Sequence, residues 1–191
     1  PFIDDFLKEI PLDVELSFNT NGTRLPDSTL ALLQDRPNLK INISLDGIGE
    51  HNDYIRSGST WKTIENNINR LREKNIKILF YYILQHTSLF TFKPVYDYCV
   101  KNDIGLEIGE IYYGSVDGSG HLTLSSADKN DVDSFKDWLS TINSPNVIVV
   151  DNWLKNYEFD EKLHERFKRY FTMLDSVRGT DFVKTFNPSW T

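Results

Sequence analysis

Three polar side chains stand at the ends of two alternating apolar stretches. Asn21 follows Val14, Leu16 and Phe18, and Ser44 with Asp46 follows Leu39, Ile41 and Ile43. Each stretch ends on a glycine, Gly22 or Gly47, and a helical pattern follows. Ser44 and Asp46 are two residues apart, so on a strand their side chains leave from one side. Polar side chains at the carboxyl ends of strands are how a parallel βα barrel builds its active-site rim. A hydroxyl, a carboxylate and an amide converging there suit a ribose, a carboxylate or an amine. Asp46-Gly47 and Asn21-Gly22 also suit ordinary turns, and residue types alone leave both readings open.

Arg56 comes one helical segment after the second strand end. It can fold back and bind a carboxylate through its guanidinium fork, although a solvated helix arginine is the plainer reading. Gln85 and His86 close a third stretch, and Glu107 and Glu110 lie on a fourth. The two glutamates have opposite parity, so they face opposite sides and form no obvious acid–base pair. Glu110, nearer the carboxyl end, is the better rim candidate. His86 reads as a hydrogen-bonded loop residue, with a general base as the alternative. A rim hydrolase using Asp46, His86 and Glu110 ranks last, because no spacing supports a triad. Cys99, set among Tyr96, Tyr98 and Val100, reads as a small buried apolar residue. His51, His121 and His164 lack metal-ligand spacing, so no metal is assigned.

Elements must hold these groups in place. Residues 2–10 form an amphipathic pattern (Phe2, Ile3, Phe6, Leu7, Ile10) that Pro11 stops. Helices are expected from Pro26 to about Leu33, over residues 50–56, and beyond the Thr60 cap with Trp61, Ile64, Ile68 and Leu71 on one face. Residues 76–84 are almost wholly apolar, which predicts a strand buried on both faces. A helix over 91–101, a strand over 106–112 and a flexible loop at Gly114, Gly118 and Gly120 follow. Regular strand–helix alternation predicts right-handed crossovers and a parallel sheet. From Ser125 the pattern changes to a helix reaching about Ile142, a short strand at 147–150, and helices over 158–186. Gly179-Thr180-Asp181 reads there as a helix stop and a new N-cap. Phe167, Tyr170, Phe171, Leu174 and Val177 form an apolar stripe read as core. The fold class is α/β: an incomplete parallel (β/α) barrel, TIM-like, over residues 1–124, then a mostly helical extension over 125–191.

The chain has 191 residues, 39% of them hydrophobic, which suffices for one sizeable core. A net charge of −7 argues against nucleic-acid binding through a basic field. No apolar run approaches the ~20 residues of a membrane span, and no secretory signal pattern is present. Cytoplasmic location is the default expectation. A single cysteine excludes an intrachain disulfide, a CxxC pair and a cysteine-rich metal site. The chain opens at Pro1, partway into an amphipathic pattern, which raises the expectation of a segment from within a longer protein.

Three segments carry a likeness: Leu16-Ser17-Phe18-Asn19-Thr20-Asn21-Gly22-Thr23, Ile43-Ser44-Leu45-Asp46-Gly47 with Arg56 and Trp61 downstream, and Leu174-Asp175-Ser176-Val177-Arg178-Gly179-Thr180-Asp181-Phe182. Together they resemble radical S-adenosylmethionine proteins. The group resembled carries a short twitch C-terminal extension and is related to SPASM-containing peptide-modifying enzymes. The resemblance implies a partial (β/α)6 barrel whose third to sixth strands would be those here. It also implies S-adenosylmethionine and a 4Fe–4S cluster as cofactors, a 5′-deoxyadenosyl radical that abstracts hydrogen, and a peptide or protein substrate. By position, Ser44 matches a hydroxyl that contacts the cofactor's ribose or methionine part. Asp46 and Asn21 match neighbouring rim positions, Arg56 an arginine found after the Ser-x-Asp-Gly turn, and Gln85 a polar residue ending the fifth strand.

The family's CxxxCxxC loop and Gly-Gly-Glu segment are absent from this sequence, and Cys99 cannot replace a three-cysteine loop. The expectation is a chain that alone neither holds the cluster nor makes a radical, its missing part lying upstream of Pro1. An unpaired first strand would then favour self-association through its edge. A non-catalytic binding domain derived from the same fold is the alternative.

Overall fold

The structure is a computed structural model that describes residues 2–110 and 119–190, without the side chains of Phe2, Glu110, Ser119, Asn146 and Val147. Its first part runs α1 (Phe2–Glu9), β1 (Leu16–Thr20), α2 (Asp27–Leu33), β2 (Leu39–Leu45), α3 (Glu50–Ile55), α4 (Trp61–Glu73), β3 (Lys77–Leu84), α5 (Ser88–Asn102) and β4 (Gly105–Glu110). The four strands lie in one sheet in sequence order, each parallel to the next. This is an open α/β sheet of the partial-barrel kind.

Alternation along each strand separates two faces. Ile41, Ile43, Leu45, Ile78, Phe80, Tyr82 and Leu84 are buried beneath helices that contribute Leu33, Ile64, Ile68, Leu71, Phe92 and Val95. Burial of each such side chain is worth roughly 1.5–3 kcal/mol, so this layer supplies most of the drive to fold. The other face stays partly open and is more polar, with Ser17, Asn19, Asn42, Ser44, Tyr81 and Glu107 along it. Residues 76–84 are therefore not buried on both faces. Tyr81 is 37% exposed while Phe80 and Tyr82 are fully covered, because among the described residues the helices pack on the Phe80–Tyr82 side. An apolar run gives no parity signal to show this.

Local chemistry fixes the ends of the elements. The Thr60 hydroxyl accepts from the Thr63 amide at the start of α4. Gly22, at φ +72°, turns the chain after β1, and a Cβ there would lie 3.1 Å from Ile64 and 3.2 Å from Ile43. The α1 terminus is held by Arg36, only 5% exposed. Its guanidinium donates to the carbonyls of Leu7, Ile10 (2.8 Å) and Pro11 (3.0 Å), satisfying acceptors that a helix end leaves free.

Beyond β4 come 3-10 turns at Ser119–Leu122 and Leu124–Ser126, then α6 (Lys129–Leu139), α7 (Pro145–Lys155), α8 (Glu161–Arg178) and α9 (Phe182–Phe186). The glycine-rich loop read at Gly114 and Gly118 lies outside the described residues, and Gly120 sits in the first 3-10 turn. Residues 147–150, expected as a strand, belong to α7 instead. Pro145 suits a first helical position, and Val150, Trp153 and Leu154 at helical spacing are all buried. Packing of that face overrides the β propensity of a β-branched run. In α8, Phe167 and Phe171 are buried as expected, but Val177 is 79% exposed. Asp175, two residues earlier, faces α3, and two helical steps carry Val177 to the far side. Gly179 ends α8 at φ +68°, and the Asp181 carboxylate caps α9 through the Lys184 amide.

One core cluster contains both the sheet residues and Val132, Phe135, Leu139, Val150, Trp153 and Leu154 of α6 and α7. A second, aromatic cluster joins Tyr54 of α3 to Phe167, Phe171, Phe182 and Phe186 of α8 and α9. Among the described residues no helix is long and apolar enough to cross a membrane.

Candidate functional site

Strand register organises the open face into rows. Ser44 of β2 pairs with Tyr81 of β3, which pairs with Glu107 of β4. One step past Leu45–Tyr82, Asp46 lies level with Ile83, whose β4 partner is Gly109. Gln85 follows on the same face at the carboxyl end of β3. Glu110 pairs with Leu84, a row of the helix-covered face. The side chain of Glu110, the rim candidate of the sequence, is outside those described; Glu107 shares the open-face row with Tyr81. Glycines at 105 and 109 keep β4 bare on either side of Glu107. A Cβ on Gly109 would meet the Tyr81 hydroxyl and Ile83 at 2.9 Å, and one on Gly105 would meet Leu79 at 2.7 Å. The β3 side chains therefore lean over β4.

Asp46 and Arg56 meet. The Arg56 Nε donates to Asp46 Oδ2 at 2.8 Å, with the two side chains 25% and 21% exposed. Arg56 sits at the C-cap of α3, its amide bonded to the Asn52 carbonyl, and its carbonyl accepts from the Ser59 amide and hydroxyl. The turn after β2 is tight: a Cβ on Gly47 would lie 3.0 Å from His51. This compact β2–α3 connection folds Arg56 back over the strand end. The pair is a preset charge element, with the carboxylate oriented by a charge-assisted bond.

Asn21 lies one step past the Thr20–Ile43 pair, level with Ser44. Its Oδ1 accepts from the Thr23 amide at 3.1 Å and the Thr23 hydroxyl at 2.8 Å, which is an Asx-turn. Asn21 is thus a turn residue at a rim position. The Gln85 backbone N–H donates to Ser88 Oγ at 2.9 Å at the start of α5, and strand parity with Tyr81 and Ile83 puts Gln85 on the open-face side. Deeper on that face, Asn42 donates to Ser17 Oγ (3.1 Å) and Asn19 Oδ1 (2.8 Å).

His86 does not join the rim. It is fully buried, its ring stacked on Phe167 with centroids 3.6 Å apart and its Nδ1 2.7 Å from Ser126 Oγ. Burial, with His164 nearby, holds its pKa well below the usual value. A neutral imidazole excluded from water and bonded to Ser126 is not placed to serve Asp46 at the rim, so the hydrolase reading loses its base. Cys99 is buried, and burial pushes its thiol up to about 12. Among the described residues no group of three or more His, Cys, Asp or Glu is placed to hold a metal. Iron–sulfur clusters are held by thiolates, and one buried thiol does not fit that need.

Sequence reasoning missed the groups that carry α3. The Tyr54 hydroxyl donates to Asp175 Oδ1 at 2.8 Å, across 121 residues of chain, and Arg178 Nη1 donates to the Tyr54 carbonyl at 3.3 Å. Burial and the Asp175 carboxylate both push the Tyr54 pKa up, so its hydroxyl stays a donor. It also missed Tyr81, although strand parity with Gln85 would have placed it on the open face.

A parallel βα sheet with polar groups at its carboxyl ends defines the class of fold, and sequence comparison gives the family. The Radical SAM superfamily matches residues 1–99, and the chain belongs to that superfamily. No curated protein matches the chain. Solved structures resemble the chain at low identity. One is anSMEcpe with bound AdoMet, at 17% identity and TM-score 0.47, covering 62% of this chain and 32% of that one. Another is Streptococcus suis SuiB bound to S-adenosylmethionine, at 15% identity and TM-score 0.46, covering 65% of this chain and 27% of that one. SuiB bound to precursor peptide SuiA aligns similarly, at 16% identity and TM-score 0.47, covering 65% and 29%. The chain spans about a third or less of the length of these proteins.

Proposed function

We propose that this domain forms one wall of an S-adenosylmethionine pocket at the carboxyl ends of β1, β2 and β3. The observation that carries the reading is the Asp46–Arg56 pair standing beside Ser44 on the open face of a radical SAM sheet. The Ser44 hydroxyl offers a donor and an acceptor to the ribose or methionine part of the ligand. Arg56 turns one carboxylate oxygen of Asp46 toward itself, leaving the other to accept from an amine or hydroxyl. Asn21 and Gln85 border the wall on either side as amide groups. Ser44, Asp46, Arg56 and Gln85 are partly buried and so shielded from water enough for their hydrogen bonds to orient a ligand, while Asn21 stands exposed at the margin.

In the radical SAM family S-adenosylmethionine bound with a 4Fe–4S cluster supplies radical hydrogen-abstraction chemistry. The residues of this chain hold the nucleoside side of that arrangement and do not provide the cluster's thiolates. On this reading the chain is part of a radical SAM enzyme and by itself is inactive, because it lacks the cluster-binding cysteines. Modification of a peptide or protein by that parent and a twitch-like role for α6 to α9 belong to the same proposal and rest on the sequence resemblance; a boundary near residue 124 belongs to it too and rests on the change of pattern at Ser125.

Calorimetry with S-adenosylmethionine in the absence of iron tests the wall. Saturable heat that disappears in Asp46→Ala supports it. Equal heats for the two proteins, or none for wild type, count against it. Iron–sulfur absorbance after anaerobic reconstitution would refute the claim of inactivity.

A further inference from the structure

The α3 helix that delivers Arg56 is six residues long, Glu50–Ile55. So short a helix has little stability of its own, and its geometry must come from what it packs against. Two residues before Arg56, Tyr54 is 4% exposed, its ring surrounded by Phe171, Phe182 and Phe186 at 6.0, 5.8 and 5.2 Å. One turn earlier, His51 stacks on Phe186 at 4.9 Å, and its Nε2 lies 3.2 Å from the Thr185 carbonyl.

All of these contacts come from α8 and α9, and one carboxylate gathers them. Asp175 Oδ1 accepts from the Tyr54 hydroxyl (2.8 Å) and the Thr180 hydroxyl (2.7 Å), and Oδ2 accepts from the Phe182 amide (2.9 Å). Arg178, one turn on, takes the Tyr54 carbonyl, one of the acceptors a helix end leaves free. The same side chain therefore closes the α8–α9 turn and fixes the end of α3.

We propose that Asp175 is a positioning residue for the Asp46–Arg56 pair, acting through the Tyr54 hydroxyl. The C-terminal helices then set whether Arg56 is held over the strand end, and anything that displaces them releases Asp46. The inference rests on reading Asp46 as part of the cofactor wall, but its geometry is testable without cofactor.

The test is hydrogen exchange of the Arg56 Nε–H, followed by NMR on the full chain and identified by its loss of protection in Asp46→Asn. Tyr54→Phe removes only the hydroxyl and keeps the ring among its aromatic neighbours; Asp175→Asn keeps the size and removes the charge. Hydrogen bonds to charged groups carry enough free energy that Tyr54→Phe is expected to speed Arg56 exchange about tenfold. The reference is the Asn67 side-chain amide on α4, 6% exposed and bonded to the Gly22 carbonyl at 2.9 Å at the β1 end of the sheet. Faster exchange at Arg56 with Asn67 unchanged supports the positioning role. Equal acceleration at both sites shows general loosening and overturns it, as does unchanged exchange at Arg56 in folded Tyr54→Phe. Calorimetry with S-adenosylmethionine reads the wall separately, so failure of one reading is distinguishable from failure of the other.

Discussion

Breaking the Asp46–Arg56 pair one partner at a time gives a quantitative check on its geometry. The contact is 2.8 Å long and its side chains are 25% and 21% exposed, so it lies between two limits. Fully exposed pairs couple by about 0.2–1 kcal/mol, and removing one partner of a fully buried pair costs about 3–5 kcal/mol. One charge-assisted bond in a mostly covered setting points to a coupling of about 1–2 kcal/mol. Asp46→Asn and Arg56→Gln should each lose about that much, and the double variant should lose clearly less than their sum. Urea unfolding of the four proteins gives the coupling, with 1 M salt expected to weaken it only partly because the pair is mostly covered. Losses that add to within about 0.3 kcal/mol would mean the two residues act independently, and the account of a preset pair would then be wrong.

Arg36→Met should cost about 2–4 kcal/mol, because it leaves the Leu7, Ile10 and Pro11 carbonyls at the end of α1 without their donor; a urea midpoint within error of wild type would refute that role. His86 and His51 both have pKa values lowered chiefly by burial. Their neutral forms therefore stabilise the fold fully above the unfolded value near 6.5, and that stability is lost as pH falls from there through the lower folded values. Unfolding at pH 7.5, 6.5 and 5.5 should show a decline that His86→Phe makes shallower, with no more than about 1.4 kcal/mol per pH unit from either histidine. Among the described residues β1 stands at the edge of the sheet, paired with β2, and an apolar cavity of about 690 Å³ lined by Phe18, Leu33, Ile41 and Ile43 lies beside it. Self-association through this edge is expected to grow with concentration in light scattering, and a strictly monomeric mass at high concentration would contradict it.

What was legible in the sequence follows from distance along the chain. Strand parity placed Ser44 with Asp46, and the short β2–α3 connection made an Arg56–Asp46 contact conceivable ten residues apart. The Tyr54–Asp175 bond spans 121 residues, and no local pattern ties one to the other. Parity also puts Glu107 in a row with Tyr81 and Ser44. At residues 147–150 β-branched side chains suggested a strand, whereas Val150, Trp153 and Leu154 mark the helical face that packs. Tertiary burial outweighed propensity there. In residues 76–84 an apolar run concealed an open face, because Leu79, Tyr81 and Ile83 are as apolar as their buried neighbours.

The central claim is that Ser44, Asp46 and their neighbours form a nucleoside-binding wall. Titrating the isotope-labelled chain with S-adenosylmethionine, without iron, tests it residue by residue. Saturable shifts should gather at Ser44, Asp46, Gly47 and Gln85 and at the Arg56 Nε–H, and should vanish in Asp46→Ala. Shifts gathered instead around Phe18 and Leu33 beside β1, or no saturable shift at all, would contradict the claim.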